Sequence, residues 1–558
     1  MVPVLGRITP KSLGAGKPVG RGCADPLGLY APILTGGSQS VKKSTRSSEK
    51  LCISLSTVIL LSIVAYISFS YVRSSIAYRA ETAWGEQHGC MPIQVKLPYK
   101  WPLAIDIVRK GFRAHWDKQL LQLFQDLYRG LGPNIEQTLL GATGFVTIDP
   151  ENIETMLSTR FEDYGFGPRR DAFFALLGEG IFNQDGPPWK HSRALLRRQF
   201  VRMQYQDLSA FQEHVDNLIN ALRSSDNVVD MQPLFFKYTL DLTTALIFGQ
   251  SVHSLTNEGV DSFSNDFSEA ADITAYRGRL GDLYWAYTPA RFTKSCKAIK
   301  IYVDGYVQSA LKTLEKGQDC PEGNVGQFVF IRELQDELKD PILVRDQLVN
   351  CLLAGRDTTA CLMTWTFRLL VQYPEKLVRL RKEINDVLGD QQIVTRTHIR
   401  AMPYLDCVIK EVLRIYPPIP ANLRFATKTT IMPRGGGPDG RSPVLIRKGW
   451  GITYAPYLMH RRVDLYGEDA EVFRPERWED GKLKGIGWGW LPFNDGPRVC
   501  LGKDLALMEA SLGILRIVQA FPNIKLPSGQ VRGDPGTEKH ALTLVLAPAD
   551  GCKVQLDQ

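Results

Sequence analysis

The stretch FNDGPRVCLG, residues 493–502, sets one cysteine in a tight loop rich in Gly and Pro, with Arg498 two positions before Cys500 and Gly502 two after. It opens onto a segment in which Leu505, Met508, Leu512, Leu515 and Val518 recur at helical spacing, so Cys500 sits where a loop turns into a helix. A thiolate at that place faces the positive end of the helix. The candidate partners of such a sulfur differ in how many other residues they require. Tetrahedral zinc needs further ligands, yet no CxxC occurs and no His lies within thirty residues of Cys500. A nucleophilic thiol needs a general base brought near by the fold, which the sequence leaves open. An axial bond to haem iron needs one cysteine alone, because the porphyrin supplies the in-plane ligands.

The rest of the composition says where such a chain resides. Its 558 residues, 44% hydrophobic and 23% charged, are ordinary usage for one large catalytic domain with accessory segments. The net charge of +8 is uneven: residues 1–50 carry eight Lys/Arg against Asp25 and Glu49, which leaves the remainder close to neutral. That distribution argues against a nucleic-acid surface on the folded domain and suits a tail beside a membrane. Residues 51–72 hold no charged side chain, and at helical rise they span about 33 Å, the hydrocarbon thickness of a bilayer. A signal peptide would be shorter, nearer the start and followed by small residues. Tyr66, Tyr71, Lys50 and Arg73 are residue types of a membrane interface. The expected organisation is a basic flexible tail over 1–50, a transmembrane anchor over 51–72, a linker over 73–99 and the catalytic domain over 100–558. Flanking charge would keep the tail in the cytosol, whereas ten scattered cysteines without a disulfide framework favour the cytosol for the domain.

Within the domain, amphipathic helical patterns dominate, as in HWDKQLLQLFQDLYRGLG near 115, a long run from Trp189, and PEKLVRLRKEINDVLG from Pro374. Short β-like runs, GFVTI at 144 and SPVLIRKGWGITYAPY at 442, stand between Gly/Pro clusters, and no internal repeat occurs. The expected fold is mainly α with small β-sheets.

The pattern F-x-x-G-x-R-x-C-x-G, matched by Phe493, Gly496, Arg498, Cys500 and Gly502, resembles the haem-binding loop of the cytochrome P450 superfamily, in which a close-lying macrocycle would leave room only for small residues such as Gly496 and Gly502. Three further stretches follow in the order that resemblance requires. LLAGRDTTACLMTW, with Ala354, Gly355, Asp357, Thr358 and Thr359, is similar to the distal-helix motif A-G-x-D-T-T. There the glycine weakens the helix ladder and a Thr hydroxyl bonds back to a carbonyl, opening a groove. Asp357 and Thr358 are then the expected proton relay. Glu411 and Arg414 resemble E-x-x-R, and FRPERW resembles the P-E-R segment, so that Glu411, Arg414 and Arg477 form a buried ion network that stabilises the fold. Trp189 and Arg193, four apart on one helix face, resemble W-x-x-x-R and reach a haem propionate together with Arg498; Arg424 is a further candidate, and His191 is a surface residue.

The resemblance covers roughly residues 100–550, and GIFNQDGPPWKHSRALLRRQF, PRGGGPDGRSPV and MHRRVDLYGEDAEVFRPERW look like the fungal alkane and fatty-acid hydroxylases of that superfamily. It implies the P450 fold behind one transmembrane helix, haem b with Cys500 as its thiolate ligand, and a monooxygenase acting on a C–H bond of a lipophilic substrate. NADPH electrons would arrive through a separate NADPH–cytochrome P450 reductase, since no flavin-binding stretch follows the haem domain. It also implies the endoplasmic reticulum membrane with a cytosol-facing catalytic domain. Phe173, Phe174, Leu176, Leu177, Tyr284, Trp285, Leu352, Leu353 and Ile419 are the expected pocket residues. An apolar pocket admits alkyl chains, but equally the polyketide or terpenoid intermediates of secondary metabolism. A reductase-independent isomerase or dehydratase on this fold has no use for the Asp357–Thr358 relay, and a non-enzymatic haem protein would keep Cys500 without it.

Overall fold

In a computed structural model of the protein, residues 44–204, 208–256, 261–315 and 329–557 are described. The chain divides after His88 into two units. Within the first lies one helix of 44 residues, α1 (Ser44–Gln87). The expected boundaries shift here, because residues 44–50 of the tail and 73–87 of the linker are helical like the apolar run between them. No Gly or Pro interrupts the sequence from Ser44 to Trp84, and the helix ends before Gly89 takes a φ of +74°. Its segment Ile59–Gln87 is long and apolar enough to cross a membrane, with Leu60, Ile63 and Phe69 exposed. Residues 1–43, most of the expected basic tail, lie outside the described residues.

The second unit begins before residue 100: Ile93 pairs with Gly436, Lys96 with Glu136, and Leu97 is buried, so residues 93–97 belong to the folded body. Its helices include α2 (Arg169–Leu177), α3 (Gly186–Gln204), α4 (Met231–Phe248), α5 (Asp261–Arg279), α6 (Pro341–Gln372), α7 (Pro403–Ile415) and α8 (Lys503–Ala520). Helix α6 is the central rod. Asp340 caps it, accepting from Ile342 N at 2.8 Å, Pro341 sets φ in the first turn, and Pro374 follows its end. Most of its side chains are buried, and it packs against α2, α4, α7 and α8. The pattern near 115 splits into two helices, Ile105–Trp116 and Leu120–Tyr128, because Lys118 between them adopts a φ of +60°. The run from Pro374 forms one helix to Leu388, as its periodicity predicts.

A five-stranded sheet holds β1 (Asn134–Leu139), β2 (Ala142–Thr147), β3 (Tyr164–Gly165), β4 (Asn422–Ala426) and β5 (Gly451–Tyr454) in the order β1-β2-β5-β4-β3. The pair β2–β5 is parallel and sets Phe145 beside Ile452, both fully buried. A hairpin pairs Thr430–Gly436 with Ser442–Ile446, and a shorter one pairs β6 (His540–Leu542) with β7 (Leu546–Pro548). The β-like runs at 144 and 442 therefore become β2 and two strands, Ser442–Ile446 and β5.

Between α7 and the segment leading to Cys500 lies a fully buried ion network. Glu411 accepts from Arg414 Nε and Nη2, both at 2.9 Å, from Arg477 Nε at 2.8 Å, from Trp478 Nε1 at 3.0 Å and from Arg474 N at 3.0 Å. Burial alone would raise this carboxyl, but Arg414 and Arg477 overcome it and leave it below the ordinary glutamate range. Spare guanidinium donors meet the carbonyls of His460, Ala470, Tyr466 and Asp469. His460 carries the network onward. Its Nε2 accepts from Leu491 N at 2.8 Å, so its proton sits on Nδ1, 3.1 Å from Arg414 O. Burial and the adjacent Arg414 hold this imidazole down to about 3.

Because the folded value of His460 lies below its unfolded value, its contribution to stability is complete above about pH 6.5 and is lost progressively as pH falls toward 3. Stability against urea is expected to fall as pH drops through that window, with a slope of up to about 1.4 kcal/mol per pH unit from this residue. His460→Gln should flatten that slope; an unchanged slope would contradict the assignment.

Candidate active site

The Cys500 loop is shaped by its own backbone. Asp495 accepts from Gly496 N at 2.7 Å, and Cys500 N donates to Phe493 O at 2.9 Å, so Phe493 contributes its carbonyl while its ring lies 5.9 Å from Lys503 Nζ. Gly496 has a φ of +67°, and a Cβ there would fall 2.3 Å from Leu157 O. The glycine is thus required by the turn at Thr155–Thr159 docking on the loop, a different reason from the room for a macrocycle expected from sequence. Gly502 fits that expectation better: its φ is negative and a Cβ would meet only the Phe200 ring, at 3.7 Å. Protein packing does not demand a glycine there.

Among the described cysteines, five are buried, Cys90 is half-buried and Cys500 is exposed. Cys500 is also densely surrounded by protein, and burial pushes its thiol up against the opposing pull of Gly502 N–H, Arg193 and Lys503. A group both surrounded and accessible lines a cavity. The helix N-terminus, credited from sequence with keeping a thiolate, is outweighed by desolvation, and coordination to a metal is what deprotonates such a thiol.

Beside the loop, α3 supplies Trp189 and Arg193. Trp189 is buried, Arg193 Nη2 donates to Val499 O at 2.8 Å, and His191 is exposed. Arg498 lies over the Trp189 ring at 4.2 Å and the Phe166 ring at 4.3 Å, and donates to Gln184 O at 3.0 Å and Asp185 Oδ1 at 2.7 Å. Arg424 stands over the same Phe166 ring at 4.9 Å, and so does Arg169 at 4.4 Å. Burial and the neighbouring Arg424 hold the Arg498 guanidinium down to about 9 and that of Arg169 to about 10. Arg169 Nε has no hydrogen-bond partner. Four guanidinium groups, Arg169, Arg193, Arg424 and Arg498, thus converge with Asp185 as the carboxylate among them. Such a cluster is stable only with further anionic charge. The two propionates of a haem held by Cys500 have that charge, so the residues present fit the group. Arg169 and Asp185 were not legible beforehand. The string NQDGPPW reads as a helix start, whereas Asp185 accepts from Phe166 N at 2.9 Å and from Arg498.

Asp357 and Thr358 stand on α6. Thr358 Oγ1 donates to Ala354 O at 2.7 Å, the back-bond expected from the sequence. The helix nevertheless runs unbroken, and Gly355 serves close packing: a Cβ there would lie 2.6 Å from Thr243 Oγ1 of α4. Asp357 is buried and ion-paired to Arg356 at 2.8 Å; burial raises its carboxyl against the pull of that arginine. One apolar cluster joins the two motif stretches, with Leu352 and Leu353 of α6 at its centre and Leu501, Leu505, Phe173 and Leu544 packed against it. Of the expected pocket residues, Leu176, Leu177 and Leu352 are core, while Phe174 at 45% and Trp285 at 66% exposure face outward. Tyr284 stacks under Arg277 at 5.0 Å, and Ile419 packs with Cys361 and Val545. Leu544 and Val545, at the turn between β6 and β7, are additional apolar residues there.

Comparison with known proteins gives the same frame. The family model described as Cytochrome P450 matches residues 96–550. A protein named Cytochrome P450 from Arthroderma benhamiae is 43% identical over 90% of this chain and 99% of its own length. Cytochrome P450 52A1 of Candida tropicalis is 39% identical over 79% of this chain and 82% of its own, and Cytochrome P450 monooxygenase fsdH of Fusarium heterosporum is 36% identical over 90% of each.

If the arginine cluster receives propionates, Arg498→Leu removes charge-assisted bonds worth about 1.5–3 kcal/mol, and haem retention should weaken about 10- to 100-fold. Haem per polypeptide, measured on purified protein under mild denaturant, checks this; undiminished retention in Arg498→Leu and Arg424→Leu would contradict it.

Proposed function

The chain belongs to the cytochrome P450 family, and on that premise we propose that it is a membrane-anchored haem-thiolate monooxygenase. Its reaction is insertion of one oxygen atom from O2 into a C–H bond of a lipophilic substrate, an alkane or fatty-acid-like chain. The observation that carries the cofactor assignment is the conjunction of an accessible, enclosed Cys500 with four neighbouring arginines among which one carboxylate, Asp185, is paired to Arg498. A haem bound there supplies the oxygen-activating iron. The chain's own residues would do the rest: Cys500 Sγ would ligate its iron, and Trp189, Arg193, Arg498, Arg424 and Arg169 would hold its propionates. Phe493, Gly496 and Gly502 shape the loop. Thr358 Oγ1 and the Asp357 carboxyl hold and move the protons that oxygen cleavage consumes.

Electrons come from NADPH through a partner NADPH–cytochrome P450 reductase. The exposed apolar face of α1 supports a single-pass anchor, and the free cysteines of the described residues support a catalytic body in the reducing cytosol, at the endoplasmic reticulum membrane. The resemblance of the longer strings to alkane and fatty-acid hydroxylases supports a linear substrate, and so does the match to Cytochrome P450 52A1. A second reading, oxidation of a polyketide or terpenoid intermediate, is supported by full-length similarity to monooxygenase fsdH.

Titration of the ferric protein with lauric acid, a long alkane and a bulky terpenoid is expected to give a saturable Soret shift with the linear chains. Reconstitution with reductase and NADPH should then yield hydroxylated product from them. A shift and turnover with the terpenoid alone would replace the first reading by the second. Thr358→Ala is expected to bind the same chains while sending several-fold more of the reducing equivalents to free hydrogen peroxide, and full coupling in that variant would remove Thr358 from the relay.

A further inference from the structure

Between Gly355 and Asp357 stands Arg356, whose side chain is 3% exposed on a helix lined mostly by apolar residues. A cation buried there is destabilising unless its hydrogen bonds replace those to water. Its Nη1 donates to Asp357 Oδ1 at 2.8 Å, and its Nη2 donates to Ser264 Oγ and Ser268 Oγ of α5, both at 3.0 Å. The rings of Phe236 and Phe267 stand 5.0 and 5.3 Å from the guanidinium. Thr239 Oγ1 of α4 donates to Arg356 O at 2.8 Å and fixes the backbone of that turn. One side chain therefore spans the carboxyl of α6 and the body of α5. Helix α5 in turn packs on α2, where Gly278 leaves space for the Phe173 ring, and Phe173 and Leu353 belong to the same apolar cluster.

We propose that Arg356 is a positioning residue that makes the proton relay depend on the seating of α5 over that apolar cluster. The inference rests on the reading of Asp357 and Thr358 as that relay. With α5 seated, Ser264 and Ser268 hold one face of the guanidinium, and the other face keeps Asp357 Oδ1 at the turn that carries Thr358. When α5 lifts, Arg356 loses two of its three side-chain partners and the ion pair is free to leave that rotamer. Oxygen chemistry then runs to hydroxylation only under a closed roof. Otherwise two electrons from NADPH and two protons reduce O2 to hydrogen peroxide, which is released.

The test uses the full-length holoprotein reconstituted with reductase, NADPH and lauric acid, and reads hydrogen peroxide and product per NADPH. Ser264→Ala/Ser268→Ala keeps the buried charge pair and is expected to fold. Its peroxide per NADPH should rise at least about tenfold, the size of one of the two hydrogen bonds to the guanidinium that it removes, while lauric-acid Kd and the reduced-CO spectrum stay as in the wild type. Arg356→Lys should fall between the wild type and Arg356→Gln, a rescue that a space-filling role would not give. If Asp357→Asn uncouples but the double serine variant stays as coupled as the wild type, the inference is overturned and the relay reading stands. If Asp357→Asn is itself fully coupled, both fall together.

Discussion

Glu411 and the arginines around it are the constraint from which the catalytic body is hung. A carboxylate with no exposure to water accepts five hydrogen bonds from Arg414, Arg477, Trp478 and the backbone of residue 474. Those donors come from α7 and from the PERW turn, so the network fastens the helix that crosses the core to the irregular chain that follows it. Removing one partner would strand a buried charge, which costs about 3–5 kcal/mol, whereas the intact set is close to balanced. Its value to the fold is geometric. Through His460 and Leu491 it fixes the entry to the Cys500 loop, and a loop so fixed can present one sulfur at one place.

A second group of arginines obeys the opposite rule. Around Glu411 charge is compensated and every donor of Arg414 and Arg477 finds an acceptor within the protein. Around Arg498 four guanidinium groups stand near one carboxylate, Asp185, which pairs with Arg498; the Arg169 Nε donor is unpartnered, and desolvation with mutual repulsion lowers Arg498 and Arg169. The first arrangement builds structure; the second, on the proposed reading, waits for an anion from outside. Cys500, reachable although enclosed, lies against the same helix α3 that carries Arg193. On the proposed reading the Cys500 thiol and the arginine cluster are two edges of one site.

What was legible in the sequence is what the chain specifies locally. Thr358 bonds to Ala354 one helical turn away, Trp189 and Arg193 share a helix face, and the Phe493–Cys500 turn closes on its own carbonyl. What was not legible depends on chain brought from far away. Gly496 is glycine because Leu157 docks on it, Asp185 accepts from both Phe166 N and Arg498, and Arg169 joins Arg424 across β3 and β4. The extent of α1 was not legible for a simpler reason, since hydropathy marks where a membrane could be and says nothing of where helix propensity stops. Arg356 lay inside a quoted motif, but its reach to Ser264 and Ser268 appears only once α5 is laid across α6.

The claim on which the account turns is that Cys500 is the axial ligand of a haem. The most direct measurement is the ferrous-CO absorption spectrum of the full-length protein beside that of Cys500→Ala. The account predicts a thiolate-type Soret band for the wild type and its complete loss in the variant. A wild-type spectrum of the histidine-ligated kind, or an unchanged thiolate band in Cys500→Ala, would contradict it.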